Sequence, residues 1–184
     1  DLVLSRGLGD VYKRQQLDLS NNLMTQAVDP IGENGVDLRN YGEPIGIIEA
    51  RKLGADILDS KIDLTIAGEQ SSYLLMTQLL LGRFLFGLDD DPWKNDKEPA
   101  FLCAVPGFDR HFATLEGLGL KMHTVNLCSS GIDLDDLNKK LSKYPNIKGL
   151  ICVPRHSNPS GEVFSDENIT NLLKITKEYS SSFI

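Results

Sequence analysis

Several things are scarce in this 184-residue chain. No apolar run approaches the ~20 residues a membrane span requires. The longest, Leu79 to Leu88, is interrupted by Arg83 and closed by Asp89-Asp90-Asp91. No cluster of Lys and Arg offers a surface for nucleic-acid phosphates, and 19 basic against 26 acidic residues leave a net charge of −7. Cysteine is rare: Cys103, Cys128 and Cys152 are odd in number, widely spaced and without a Cys-x-x-Cys pair. That excludes a disulfide framework or structural zinc and makes a reducing cytoplasm the expected compartment. Each cysteine is expected to fill a buried strand position as a small hydrophobe. With 16 Gly and 8 Pro the chain is not collagen-like or low-complexity. What remains, 41% hydrophobic and 24% charged, suits one domain of ordinary size.

Both ends read as unusual. Residues 1–15 join no periodicity beyond them and look like translated adapter sequence, a non-native leader; Gly7-Leu8-Gly9 follows no strand and lacks a third glycine. Ser180 to Ile184 reads as a strand that has just begun, so the expectation is a fragment. The expected division is leader 1–15, an arm with the first helix 16–60, and a partial ligand-binding domain 61–184.

Between these ends the signals alternate. Arg39 to Pro44 is a turn, and Ile45 to Leu58 has apolar residues at helical spacing. Leu64-Thr65-Ile66-Ala67 reads as a short strand running through a small-residue loop into a helix that opens near Ser71-Ser72. Strands are expected at 100–105, 121–127 and 148–153, with helices at 109–118, 133–143 and 166–179. This alternation predicts an α/β fold in three αβα layers with a mostly parallel sheet. Ligands of such sheets bind at the carboxyl ends of strands.

Three loops there could carry chemistry. Gly68-Glu69-Gln70-Ser71-Ser72 places free N–H groups and hydroxyls at a helix start, where anions bind; ordinary capping by Ser71 is the alternative. Pro106-Gly107-Phe108-Asp109-Arg110-His111-Phe112 puts an aromatic face just past a strand and an imidazole one turn on. Ser157-Asn158-Pro159-Ser160-Gly161 offers an amide able to donate to a phenolate or carboxylate oxygen, or else a simple Asx-turn.

In this order and spacing the three loops resemble the large domain of fold-type I pyridoxal-phosphate aminotransferases. The likeness is greatest to the aspartate-aminotransferase-like group, which carries Pro-Gly-Tyr-Asp-Arg-His-Phe followed by Ser-Asn-Pro-Thr-Gly. Asp18-Leu19-Ser20-Asn21 and Arg39-Asn40-Tyr41-Gly42 share the resemblance, which spans about Leu17 to Ile184, the N-terminal half of such an enzyme. It implies pyridoxal 5′-phosphate as cofactor and a homodimer with a shared active site. Gln70, Ser71 and Ser72 would hold the cofactor phosphate, although the family usually has Gly-Asn where Glu69-Gln70 stand. Phe108 would stack on the pyridine, and Asn158 would bond its ring hydroxyl. His111 would orient an aspartate that meets the pyridine nitrogen, and Tyr41 would reach a partner's cofactor phosphate. Asn21 or Asn22 would lie near the substrate carboxylate.

The family's Schiff-base lysine, its aspartate and its substrate arginine match nothing here, so no catalytic residue and no metal ligand is assigned. The implied reaction transfers an amino group between an acidic amino acid and a 2-oxo acid, and the chain alone is expected to be inactive and poorly soluble. Other readings are the ligand-sensing domain of a transcription regulator, a same-fold lyase or decarboxylase, and a flavodoxin-like domain without cofactor. Residues 1–40 show no basic recognition helix, which disfavours the regulator.

Overall fold

A computed structural model describes residues 31–68, 71–88 and 90–179. The expectations for Asn21, Asn22, Gln70, residues 1–15 and Ser180 to Ile184 fall outside them. The chain forms two compact units, Asp1–Gln70 and Ser71–Ile184.

In the first unit, helix α1 spans Ile48–Leu58 and ends where Asp59 turns into the left-handed region. Arg51 fastens it to the following segment, donating to the carbonyls of Thr65 and Ile62 at 2.9 and 2.7 Å. The apolar stripe expected on this helix is largely uncovered, with Leu53, Ile57 and Leu58 all exposed. The segment expected as a strand is not one. Ile62–Leu64 is a 3₁₀ turn, and beyond it Ala67 N–H donates to Ile45 O at 3.0 Å. β-rich residues make a strand only where a neighbouring strand supplies a ladder, and none is paired with 64–67 among the described residues.

The second unit is built on a four-stranded sheet ordered β3-β2-β1-β4. Its strands are β1 (Ala100–Val105), β2 (Lys121–Cys128), β3 (Gly131–Ile132) and β4 (Ile147–Ile151). β1 pairs in parallel with β2 on one edge, Cys103 opposite Thr124, and with β4 on the other, Cys103 opposite Ile151. Four helices surround the sheet: α2 (Ser72–Phe86), α3 (Asp109–Gly117), α4 (Leu134–Lys143) and α5 (Asp166–Tyr179).

The period-2 alternation of β1 sorts its side chains between two cores. Ala100, Leu102 and Ala104 pack with Val125, Leu137, Leu141 and Leu172 beneath α4 and α5. Phe101 and Cys103 pack with Leu80, Trp93 and Leu115 beneath α2 and α3. Helices therefore cover both faces, as the αβα expectation requires. Local sequence explains the helix ends. Asp133 caps α4 by accepting from the N–H groups of Asp135 and Asp136, and acidic residues at its start and Lys140 and Lys143 at its end suit the helix dipole. Arg83, buried near the end of α2, pairs with Asp90 at 3.1 Å and lies over the Trp93 ring. Trp93–Asn95 forms a 3₁₀ turn whose tryptophan is 1% exposed.

The cysteine expectation holds only in part. Cys103 is buried and Cys152 half-buried, but Cys128 is exposed. It ends β2 where the chain turns back into the antiparallel β3, and its thiol contacts Ser130 Oγ at 3.3 Å.

β3 is a two-residue strand that leaves no pattern in the sequence. Asn168 of α5 holds it, accepting from Ile132 N–H at 3.0 Å and donating to Ile132 O at 2.8 Å. Gly131 has φ +133°, and a Cβ there would sit 2.3 Å from Asn168 Oδ1. Asn168→Ala removes both partners from buried backbone groups, so it is expected to destabilise the unit by roughly 2 kcal/mol or more. Urea unfolding measures this; a loss under about 0.5 kcal/mol, the scale of a neutral surface change, would show that water replaces the amide.

Candidate functional site

The carboxyl end of β1 turns sharply through Pro106 and Gly107 into α3. Gly107 is required by close approach: a Cβ there would lie 2.6 Å from Ala104 O and 2.7 Å from Phe112 Cζ. Phe108 follows as the residue that precedes α3, and its carbonyl accepts from His111 N–H at 3.1 Å. The local turn thereby sets the two side chains edge to face, with ring centroids 5.2 Å apart at 86°. Arg110 places its guanidinium 5.7 Å from the Phe108 centroid.

Phe108 and His111 line one hollow together with Ala104, Gly107, Cys152 and Ser157. Its enclosed part is only about 10 Å³, room for one water, so any larger ligand would lie across its open side. His111 and Cys152 also wall an adjoining apolar groove of about 200 Å³ between α2 and the sheet, where Leu80, Phe101 and Ile151 complete the lining.

The imidazole of His111 is notable for what it lacks. Its Nδ1 is buried and has no hydrogen-bond partner among the described residues. Burial pushes its pKa below the ordinary 6.5, because desolvation penalises the charged form. On its other side the Tyr73 ring lies nearly parallel, 12° off, with centroids 6.4 Å apart.

The remaining residues stand as follows. Ser71 caps α2, its Oγ accepting from Tyr73 N–H at 3.2 Å. Ser71 and Ser72 are both exposed at that helix start. Asn158 is exposed at the tip of the loop after β4 and does not line the hollow; its neighbour Ser157 does, buried, with its N–H bonded to Glu162 O. Phe108, His111 and the Ser157 end of that loop are thus brought together, while the side chains of Ser71 and Asn158 stand outside the enclosed space. Tyr41 belongs to the first unit and is 73% exposed. Of the residues around His111, Tyr73 was not singled out in the sequence, Cys152 was expected only as a buried strand residue, and Ser157 only as the residue before Asn158. Tyr73 was hidden inside an apolar run, although a hydroxyl two residues after a capping serine was a signal that could have been followed. Among the described residues no group of His, Cys, Asp or Glu could hold a metal, and no helix is long and apolar enough to cross a membrane.

Helices on both faces of a largely parallel sheet, with an aromatic and an imidazole at a strand's carboxyl end, place this unit among the α/β domains, whose ligands as a class sit at the carboxyl ends of strands. Residues 2–180 match the family model described as aspartate amino-transferase, and the chain belongs to that family, within the fold-type I pyridoxal-phosphate group. It is 35% identical over 167 residues to a Mycolicibacterium smegmatis protein described as an aminotransferase, an alignment covering 88% of this chain and 39% of the relative. A solved structure from Corynebacterium diphtheriae, also described as an aminotransferase, shares 37% identity with TM-score 0.74 over 86% of this chain and 40% of its own. An aspartate transaminase from Corynebacterium glutamicum gives 33% identity and TM-score 0.74 over 85% and 38%. The chain spans about two-fifths of the length of these relatives.

Two outcomes follow from the site's packing. Gly107→Ala is expected to displace the Phe112 ring and destabilise the unit by about 1–3 kcal/mol, the range for overpacking; unchanged thermal unfolding would contradict the contact. The lowered pKa of His111 favours its neutral form in the folded state. Its contribution is therefore complete above about pH 6.5 and lost as pH falls through the folded-state value. His123 acts in the same direction, depressed by burial and then by Lys140 and Lys143. Urea midpoints between pH 7.5 and 5 should fall less steeply in His111→Gln than in the parent; identical slopes would remove His111 from the account.

Proposed function

We propose that this chain supplies the cofactor-holding part of a pyridoxal-phosphate-dependent aminotransferase that moves an amino group between an acidic amino acid, aspartate or a close analogue, and a 2-oxo acid. The observation that carries the reading is the pairing of Phe108 with His111 at the carboxyl end of β1, where a buried imidazole nitrogen has no partner among the described residues. The donor set suits the cofactor: an aromatic face for a flat ring, an imidazole acceptor or donor, and hydroxyls at a helix start for a phosphate. When bound, the cofactor supplies the electron sink for chemistry at the substrate's α-carbon.

In this reading Ser71 and Ser72, at the start of α2, bind the phosphate together with Gln70. Phe108 covers one face of the ring and excludes water from it. Asn158 donates its amide N–H to the ring oxygen, which requires its exposed loop to turn toward the ligand. His111 orients an acidic group from outside this chain. Tyr41 serves the phosphate of a second copy in a homodimer, and the enzyme works in the cytoplasm. No lysine among these residues is proposed to carry the reaction, so turnover is not expected of the 184 residues by themselves.

Pyridoxamine 5′-phosphate is the direct probe, since it has no aldehyde to react with surface lysines. Calorimetric titration of the 184-residue chain should show saturable binding that inorganic phosphate competes. Phe108→Ala should weaken it about tenfold, the loss expected for a ring stack of ~1 kcal/mol plus its buried area. Absence of saturable binding, or equal binding by Phe108→Ala, would overturn the reading.

A further inference from the structure

The geometry points to Tyr73 as a positioning residue for His111: its ring and its hydroxyl together fix the imidazole at the wall of the hollow. The proposal takes from the cofactor reading only what the imidazole is positioned toward, and its test does not depend on that reading.

Two independent contacts support it. The first is the near-parallel stack of the two rings, 6.4 Å between centroids, within the range of favourable aromatic pairs. With Phe108 edge-on at 5.2 Å, the imidazole contacts two aromatic rings, and turning it would loosen one pair or the other. The second is a hydrogen-bond chain. Tyr73 Oη and Thr114 Oγ1 are 2.6 Å apart, and Thr114 Oγ1 donates its one proton to Arg110 O at 3.1 Å. The hydroxyl of Tyr73 must then be the donor to Thr114. This chain ties the first turn of α2 to the turn of α3 that carries His111.

The arrangement has a chemical consequence. Tyr73 lies offset and near-parallel beside the imidazole, adding to the burial that lowers the pKa of His111 and favours the neutral ring, with one nitrogen able to accept. It also couples the helix start capped by Ser71 to the ring that faces the hollow, because Tyr73 N–H is the group Ser71 caps.

The chain has only three histidines, so NMR titration of their ring signals tests this, with His123 and His156 as internal references. In Tyr73→Leu the His111 midpoint should rise toward the ordinary imidazole value, while the reference signals stay in place. Tyr73→Phe keeps the ring and should leave the midpoint near the parent's. Both it and Thr114→Val cut the hydrogen-bond chain, so each should shift the His111 ring signals, and the double variant should shift them no further than either alone. If Tyr73→Leu does not fold, the two milder variants decide the matter. His111 signals unmoved in Tyr73→Phe and Thr114→Val, or an unchanged midpoint in folded Tyr73→Leu, would overturn the proposal. Failure of the cofactor reading appears elsewhere, as absent pyridoxamine 5′-phosphate binding by the unsubstituted chain.

Discussion

β1 is the constraint on which the second unit depends. It is hydrogen-bonded along both edges, to β2 and β4, and packed on both faces, with Leu102 and Phe101 buried on opposite sides. A strand satisfied in four directions cannot slip by one residue without exchanging its two cores. That rigidity is passed to whatever follows it. Pro106 and Gly107 leave the sheet at a fixed point, and Phe108 and His111 inherit positions that no loop could hold alone.

The chemistry of the hollow follows from the burial of its imidazole. His111 is ringed by Phe108 and Tyr73 and has a nitrogen with no partner among the described residues. A buried polar atom left so costs stability, and sites that tolerate such a cost are where function is sought. Family membership agrees in kind, since the aspartate amino-transferase model spans nearly the whole chain. The chain covers about two-fifths of each relative, and of the residues proposed to hold the cofactor Phe108 lines the hollow while the side chains of Ser71 and Asn158 stand outside it.

Much of the fold was legible because it is local. The buried run 100–105 and the spacing of Leu134, Leu137 and Leu141 announce their elements through periodicity, and Asp133 and Ser71 announce helix starts by the oxygen each offers to a free N–H. Misreadings came where a distant partner decides. Leu64 to Ala67 has strand-forming residues but no strand beside it among the described residues. Cys128 resembles a core residue and lies at an exposed turn. β3 exists through Asn168, thirty-six positions away from Ile132.

The candidate site divides the same way. That Phe108 and His111 stand one turn apart was written in their spacing, as was the cap at Ser71, because helix geometry is the same wherever the helix sits. That Tyr73 would lie against His111, that Thr114 would receive its hydroxyl, and that Ser157 rather than Asn158 would line the hollow depended on how helices dock on a sheet. Sequence alone determined the elements, their order and the side chains offered at their ends, since these obey short-range sterics and hydrogen bonding. Tertiary structure decided which of those side chains meet, since burial and pairing across the sheet are settled only when the whole unit excludes water.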